Sequence, residues 1–173
     1  MKRMMIGLAG GAAALLPALV IAAQGSMSMA AVGAGPHGYD WMVGTWSCTN
    51  TMRASMLGGL PSTTLTITKV SDGNLMIRTT SPNGDVTAYN SYSAKTRTWY
   101  SPFADSGGNY GTESTQQSGR TIRWVGSFYP ISGAMTPIRD TFTMLSMTKE
   151  YDLSEARVNG AWKAVAKTTC TKT

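Results

Sequence analysis

Short stretches of alternating apolar and polar residues, divided by tight-turn sequences, are the feature that most limits what this chain can fold into. The turn sequences recur at short intervals, and each contains a glycine or asparagine that tolerates the positive φ a hairpin requires. They are SDGN at 71–74, SPNG at 81–84, DSGG at 105–108, SG at 118–119 and VNG at 158–160. This spacing is typical of consecutive antiparallel hairpins.

The stretches between these turns alternate as strands with one buried face do. Leu65 and Ile67 face away from three threonines, and Ile122, Trp124, Gly126 and Phe128 share a second apolar face. In the last stretch, Trp162, Ala164, Ala166, Thr168 and Cys170 are expected on one face. Threonine, which suits strands, occurs 23 times and not before Thr45. From Met42 to Lys172 the pattern predicts about ten strands and no convincing helix.

Residues 144–158 allow two interpretations. Glu150, Leu153, Glu155, Ala156 and Arg157 are compatible with a helix. Two strands are favoured, because the stretch leads directly into the Asn159-Gly160 hairpin signal.

Many short strands without a covering helix predict an all-β fold: a single antiparallel up-and-down barrel of about 8–10 strands, or a sandwich. Cys48 lies in the first strand with the parity of Trp46, and Cys170 lies in the last strand. A closed barrel makes these strands neighbours and removes exposed edges. The cysteines therefore favour the barrel, although a sandwich can also bring the two strands together.

The N-terminal residues have the layout of a secretory signal peptide. Lys2 and Arg3 precede an apolar run that contains glycines and Pro17 and ends in Ala22-Ala23. An uncleaved membrane anchor is the alternative. We expect residues 1–23 to be a signal peptide, 24–38 a flexible leader and 39–173 the barrel domain. The expected location is outside a bacterial cytoplasm, secreted or periplasmic, without a membrane span after cleavage.

The expected location determines the oxidation state that we predict for the two cysteines. In an oxidising compartment Cys48 and Cys170 are expected to form a structural disulfide. Free thiols or a redox pair are the other possibility, but the C-x-x-C spacing is missing.

The opening of the predicted domain, DWMVGTWSC at 40–48, resembles the first strand of calycin-type barrels, the group of lipocalins, avidins, fatty-acid-binding proteins and nitrobindins. Gly44 and Trp46 match the Gly-x-Trp signature, in which the tryptophan closes the barrel floor. With the stretches at 92–100, 107–111 and 169–172, the chain also resembles small secreted bacterial proteins of unknown function. The chain lacks the second lipocalin motif, Thr-Asp-Tyr, and the late histidine that holds haem in nitrobindins.

Charge and composition exclude several function classes. Without Lys2 and Arg3, thirteen basic residues face nine acidic ones, a net charge of +4, and no basic run marks a nucleic-acid surface. His37 is the sole histidine and lies in the leader, so neither a catalytic triad nor a zinc site is expected. No phosphate-binding glycine motif occurs, and no cofactor is expected.

Carboxylates alone can run acid–base chemistry. The densest acidic group is Asp140, Glu150, Asp152 and Glu155. Nothing in the sequence places two of them on one inward face, so a solvated strand end is the favoured interpretation. We therefore expect no enzyme.

The aromatic strand residues are the better candidates for a ligand pocket. They are Trp99, Tyr110, Trp124, Phe128 and Phe142, with Trp162 in the same class. Filling of the core is the competing interpretation. An inward arginine among Arg78, Arg97, Arg123 and Arg139 would suit an acidic ligand group. The leading hypothesis is an exported barrel that binds a small apolar or amphipathic molecule; the alternative is a non-catalytic structural or interaction protein of the cell envelope with a solid core.

Overall fold

The computed structural model describes residues 32–52 and 62–173, and almost all of them are strand or turn. A short 3-10 helix, Asp40–Met42, precedes ten antiparallel strands. These are β1 (Gly44–Asn50), β2 (Ser62–Ser71), β3 (Asn74–Ser81), β4 (Gly84–Ser93), β5 (Thr98–Asp105), β6 (Tyr110–Thr115), β7 (Thr121–Tyr129), β8 (Thr136–Ser146), β9 (Lys149–Val158) and β10 (Ala161–Lys172). Residues 144–158 therefore form the end of β8, a turn and β9, as the strand interpretation predicted.

Each strand pairs with the next in sequence, and β10 pairs with β1, so the sheet closes into an up-and-down barrel. The all-β barrel prediction is confirmed. Closure leaves no unpaired strand edge in this sheet.

A disulfide joins the first and last strands. Cys48 and Cys170 are direct partners in the β1–β10 register, their Cα atoms 4.0 Å apart, and both side chains are buried. The bond spans 122 residues of sequence. A buried disulfide of this kind is consistent with an oxidising compartment outside the cytoplasm.

A β-bulge in β10 changes the face that its first half presents. The register shifts between Ala164 and Ala166, so Val165 is buried and lines the barrel interior. The expectation that Trp162 shares a face with Cys170 is corrected, because the extra residue reverses the alternation. Trp162 is exposed, and its ring lies 4.4 Å from the guanidinium carbon of Arg139 on the outside of the barrel.

One end of the barrel is closed by residues 32–43, which we call the plug. Val32 and Tyr39 are buried in the core, and Gly33 O accepts a hydrogen bond from Trp99 Nε1 at 3.0 Å. Val32 O accepts another from the backbone N–H of Gly119 at 2.7 Å. The expected flexible leader, 24–38, is therefore corrected for residues 32–38, which are packed into the fold. The rest of the leader and the expected signal peptide lie outside the described residues.

The Gly-x-Trp motif belongs to this closed end. Trp46 is fully buried, donates to Met42 O at 2.7 Å and packs edge-on against Trp41. Lys172 Nζ lies 5.4 Å from the Trp46 ring and donates to Trp41 O at 2.9 Å. Gly44 has φ +133, and a Cβ there would lie 2.8 Å from the Lys172 side chain, so only glycine fits without strain. Within the described residues no helix is long and apolar enough to cross a bilayer.

Candidate functional site

The barrel encloses a partly open cavity of about 410 Å³. This volume falls within the range of small-molecule sites, ~300–1,000 Å³. Most of its wall is apolar, formed by inward residues of the strands and by the plug. The apolar lining residues are Met42, Leu65, Ile67, Ile77, Val86, Ala88, Phe103, Trp124, Phe128, Ile138, Phe142 and Val165.

Three of the five aromatic pocket candidates line this cavity: Trp124, Phe128 and Phe142. Tyr39 of the plug joins them, its ring centroid 5.8 Å from that of Trp124. Sequence reasoning missed Tyr39, because nothing local shows that the segment before the first strand folds into the barrel.

The other two candidates lie elsewhere. Trp99 is buried between Tyr39 and Tyr92 at the closed end and does not line the cavity. Tyr110 does not line it either: it is 54% exposed on the outer face and stacks on Tyr129 at 4.8 Å. The inward positions of β6 are Gly111, Glu113 and Thr115, which fixes Tyr110 outside.

Six acidic residues line the cavity, and we call four of them the acidic cluster: Glu113 of β6, Asp140 of β8, and Glu150 and Asp152 of β9. On β9, Glu150 and Asp152 are two residues apart and point to the same face. Opposite them on β8, Phe142 pairs with Asp152 and Met144 with Glu150, all on the inner side. The expected solvated strand end is therefore corrected: three of the four acidic residues singled out from the sequence face inward.

The fourth, Glu155, borders the cavity, but its carboxylate is held by Arg139 in a bidentate ion pair at 2.6 and 3.0 Å. Glu113 was missed by sequence reasoning. Its two-residue spacing from the inward Gly111 and Thr115 was the available signal, but β6 is short and polar, which hides the buried face.

Burial shapes the electrostatics of the acidic cluster. Burial raises the pKa of Glu150 to about 7. Burial raises the pKa of Glu113 well above its ordinary range, helped by the charge of Asp140 and a hydrogen bond with it. Burial likewise raises the pKa of Asp152, with the charges of Asp140 and Glu150 adding to the effect. Each of these carboxyl groups therefore loses its proton at a higher pH than a solvated carboxyl group does.

Glu113 and Asp140 influence each other's pKa. Burial raises the pKa of Asp140, but hydrogen bonds from Ser154 and Glu113 oppose that rise. A protonated Glu113 that donates to an ionised Asp140 fits both directions. Such a pair can accept or release a proton at a ligand group.

Several buried acceptor atoms around the cavity have no hydrogen-bond partner among the described residues. They include one carboxyl oxygen each of Glu113, Glu150 and Asp152, and Oδ1 of Asn90. Asn90 and Glu113 are at least nine-tenths buried. Unpaired buried acceptors are costly, so these atoms mark where a donor group would be stabilised.

The described lining of the cavity contains no lysine, arginine or histidine. Arg78 and Arg139 lie outside, paired with Asp85 and Glu155, and Arg97 lies in the β4–β5 turn. Arg123 also lies on the outer face. None of these four arginines therefore lies inward to meet an acidic ligand group, and the ionisable side chains of the described lining are acidic except for Tyr39.

His37 lies at the closed end, exposed, 3.0 Å from an Asp40 carboxyl oxygen and away from the cavity wall. Among the residues that the structure describes, no group of three His, Cys, Asp or Glu side chains converges as metal ligands do. The acidic cluster is spread over the wall rather than focused on one point.

Comparison of the chain with protein-family models and with curated proteins found no match. The closed ten-stranded antiparallel barrel is compatible with a calycin-like barrel.

Proposed function

We propose that this protein is an exported calycin-like barrel that binds one small amphipathic molecule in its interior. The observation that carries the proposal is the cavity of about 410 Å³, which has an apolar wall on most sides and unpaired acceptors on one. An apolar wall stabilises the body of a ligand, and a few placed polar atoms orient it.

The packing of the closed end supports the same proposal. Tyr39 forms part of the cavity wall, while Trp46, Trp41 and Trp99 fill the space behind it. The barrel therefore concentrates its large side chains at the floor and leaves free volume above them. The alternative, a solid barrel that acts only through its surface, is less well supported because it requires the core to be full.

Binding can be tested with a neutral fluorescent probe, N-phenyl-1-naphthylamine, and with a matched pair of variants. Ala88 lines the cavity, and Ala104 lies on the neighbouring strand with its side chain outside. We expect Ala88→Phe to abolish probe binding by filling the cavity and Ala104→Phe to leave it unchanged. Thermal unfolding of each variant shows whether it is folded, and Val86→Phe offers a second lining position.

Native mass spectrometry of protein purified from its own host gives a complementary measurement. A bound small molecule in the wild type that is lost in Ala88→Phe supports the proposal. A folded wild type that retains no molecule and does not bind the probe contradicts it.

Acid–base catalysis is a second candidate function, favoured by the carboxyl groups of Glu113 and Asp140 in the cavity wall. In that case the molecule carried by Glu113→Gln would differ from the one carried by the wild type in mass or, for a proton-transfer isomerisation, in chromatographic retention, because substrate would remain unconverted. Identical mass and retention would leave binding as the function.

A further inference from the structure

We propose that the ligand of this barrel carries a protonated amine, and that the acidic cluster and Asn90 form the site for it. The inference rests on the proposed function and names the chemistry of the ligand's polar end.

The polar part of the cavity wall offers unpaired hydrogen-bond acceptors. Among the described residues, Glu113, Glu150 and Asp152 each have a carboxyl oxygen without a partner, and Asn90 Oδ1 is a fourth such atom that is not part of a carboxyl group. All four residues line the same cavity. An ammonium group has three donors and no acceptor, so it matches a wall of this composition.

The acidic cluster has no basic partner in the described lining of the cavity. The other acidic residues that border the cavity are already satisfied: Asp105 accepts from Asn109, and Glu155 binds Arg139 on the outside. A cation delivered by the ligand would supply that missing partner.

The spread of the carboxyl groups over the wall favours an amine over a metal ion as the ligand's cation. A bare divalent cation needs several oxygen atoms around one point, and the described carboxyl groups do not converge in that way. Acceptors spread along a wall suit hydrogen-bond donors that point in different directions from the end of an apolar body.

The titratable groups that line the cavity come from the plug and four strands. They are Tyr39 of the plug, Asp105 of β5, Glu113 of β6, Asp140 of β8, and Glu150, Asp152 and Glu155 of β9. The cluster gains charge as pH rises, since burial keeps it partly protonated near neutrality. Affinity for a cation is therefore expected to increase with pH, while an alkylamine stays charged throughout the range.

Three probes with one alkyl chain test the proposal: octylamine, octan-1-ol and octanoate, measured by calorimetry with the full mature chain. We expect octylamine to bind at least about tenfold more tightly than octan-1-ol at pH 8, which is the strength of charge-assisted hydrogen bonds. Octanoate should bind most weakly. The preference for octylamine should shrink at pH 5, and octan-1-ol should show little change.

Two variants locate the effect. Glu113→Gln with Asp152→Asn keeps the shape of the wall and is expected to reduce octylamine binding to the level of octan-1-ol, without weakening octan-1-ol. Asp72→Asn is the surface control that removes a carboxylate away from the cavity, because Asp72 is 84% exposed in the β2–β3 turn. It should change neither affinity.

Equal affinity for octylamine and octan-1-ol at pH 8, or tighter binding of octanoate, would overturn the amine proposal and leave a binding barrel in place. Displacement of octylamine by an equal concentration of Ca²⁺ would overturn it in favour of a metal site. Failure of all three probes to bind would overturn both the proposed function and this inference.

Discussion

The buried carboxyl group of Glu150 makes the stability of the barrel depend on pH in a predictable direction. Burial raises its pKa from 4.5 to about 7 in the folded protein. Below pH 4.5 the group is protonated in both folded and unfolded chains, so it adds no pH dependence there. Between the two values the unfolded chain loses its proton first, and the free energy of unfolding falls as pH rises.

The size of the effect follows from the two pKa values. At about 1.4 kcal/mol per pH unit, the difference between 4.5 and about 7 destabilises the folded protein by about 3 kcal/mol above pH 7. Glu150→Gln removes the ionisation and keeps the shape of the side chain. The variant should therefore gain about 3 kcal/mol relative to the wild type between about pH 4 and about pH 8.5.

Urea denaturation followed by tryptophan fluorescence at both pH values gives the four free energies required. Glu155→Gln is the control with the opposite sign: the hydrogen bond from Arg139 lowers the pKa of Glu155, so its contribution is present above pH 4.5 and is lost in acid. It should destabilise at about pH 8.5 and have a smaller effect well below pH 4.5. A Glu150→Gln effect that is the same at both pH values would refute the argument.

Three further predictions concern the barrel. Replacing both Cys48 and Cys170 by serine should lower the free energy of unfolding by about 2–5 kcal/mol, measured by urea denaturation; no loss would show that the β1–β10 ladder alone closes the barrel. Shortening the chain to begin at Tyr39 should lower it by roughly 3 kcal/mol, because Val32 and its hydrogen bonds are removed; an unchanged unfolding midpoint would contradict the role of the plug. Gly126→Ala should lower the melting temperature by several degrees, since its Cβ would overlap Thr112 O; a neutral effect by calorimetry would show that β6 and β7 separate easily.

The strands of this protein were predictable from local sequence. Alternation fixes which residues can share a face, and glycine and asparagine mark where the backbone must turn. The shared face of Trp124 and Phe128, both of which line the cavity, follows from this alternation, as does the shared face of Trp46 and Cys48. Assigning faces by alternation assumes that each strand pairs with its neighbours without a β-bulge.

That assumption failed where one residue was added to the ladder. The bulge at Val165 reverses the faces of β10, and alternation has no local signal for it, since Ala164 and Ala166 are both compatible with either face. The alternation of residues in the sequence therefore could not predict that Trp162 lies outside the barrel.

The acidic cluster was hidden for a different reason. Glu113 lies on β6, far in sequence from Asp140 on β8 and Asp152 on β9, and only closure of the barrel points them into one space. Each residue alone fits an exposed strand position. Their raised pKa values exist because burial and mutual charge act after the chain is folded.

Sequence alone predicted about ten strands joined by hairpins and favoured a disulfide between the first and last strands, because these depend on side-chain alternation, turn conformation and two cysteines. Tertiary structure decided what the interior contains. The plug, the cavity and the acidic cluster are made by residues from distant parts of the chain. The distances between these residues are set when the barrel closes, so local sequence patterns do not contain them.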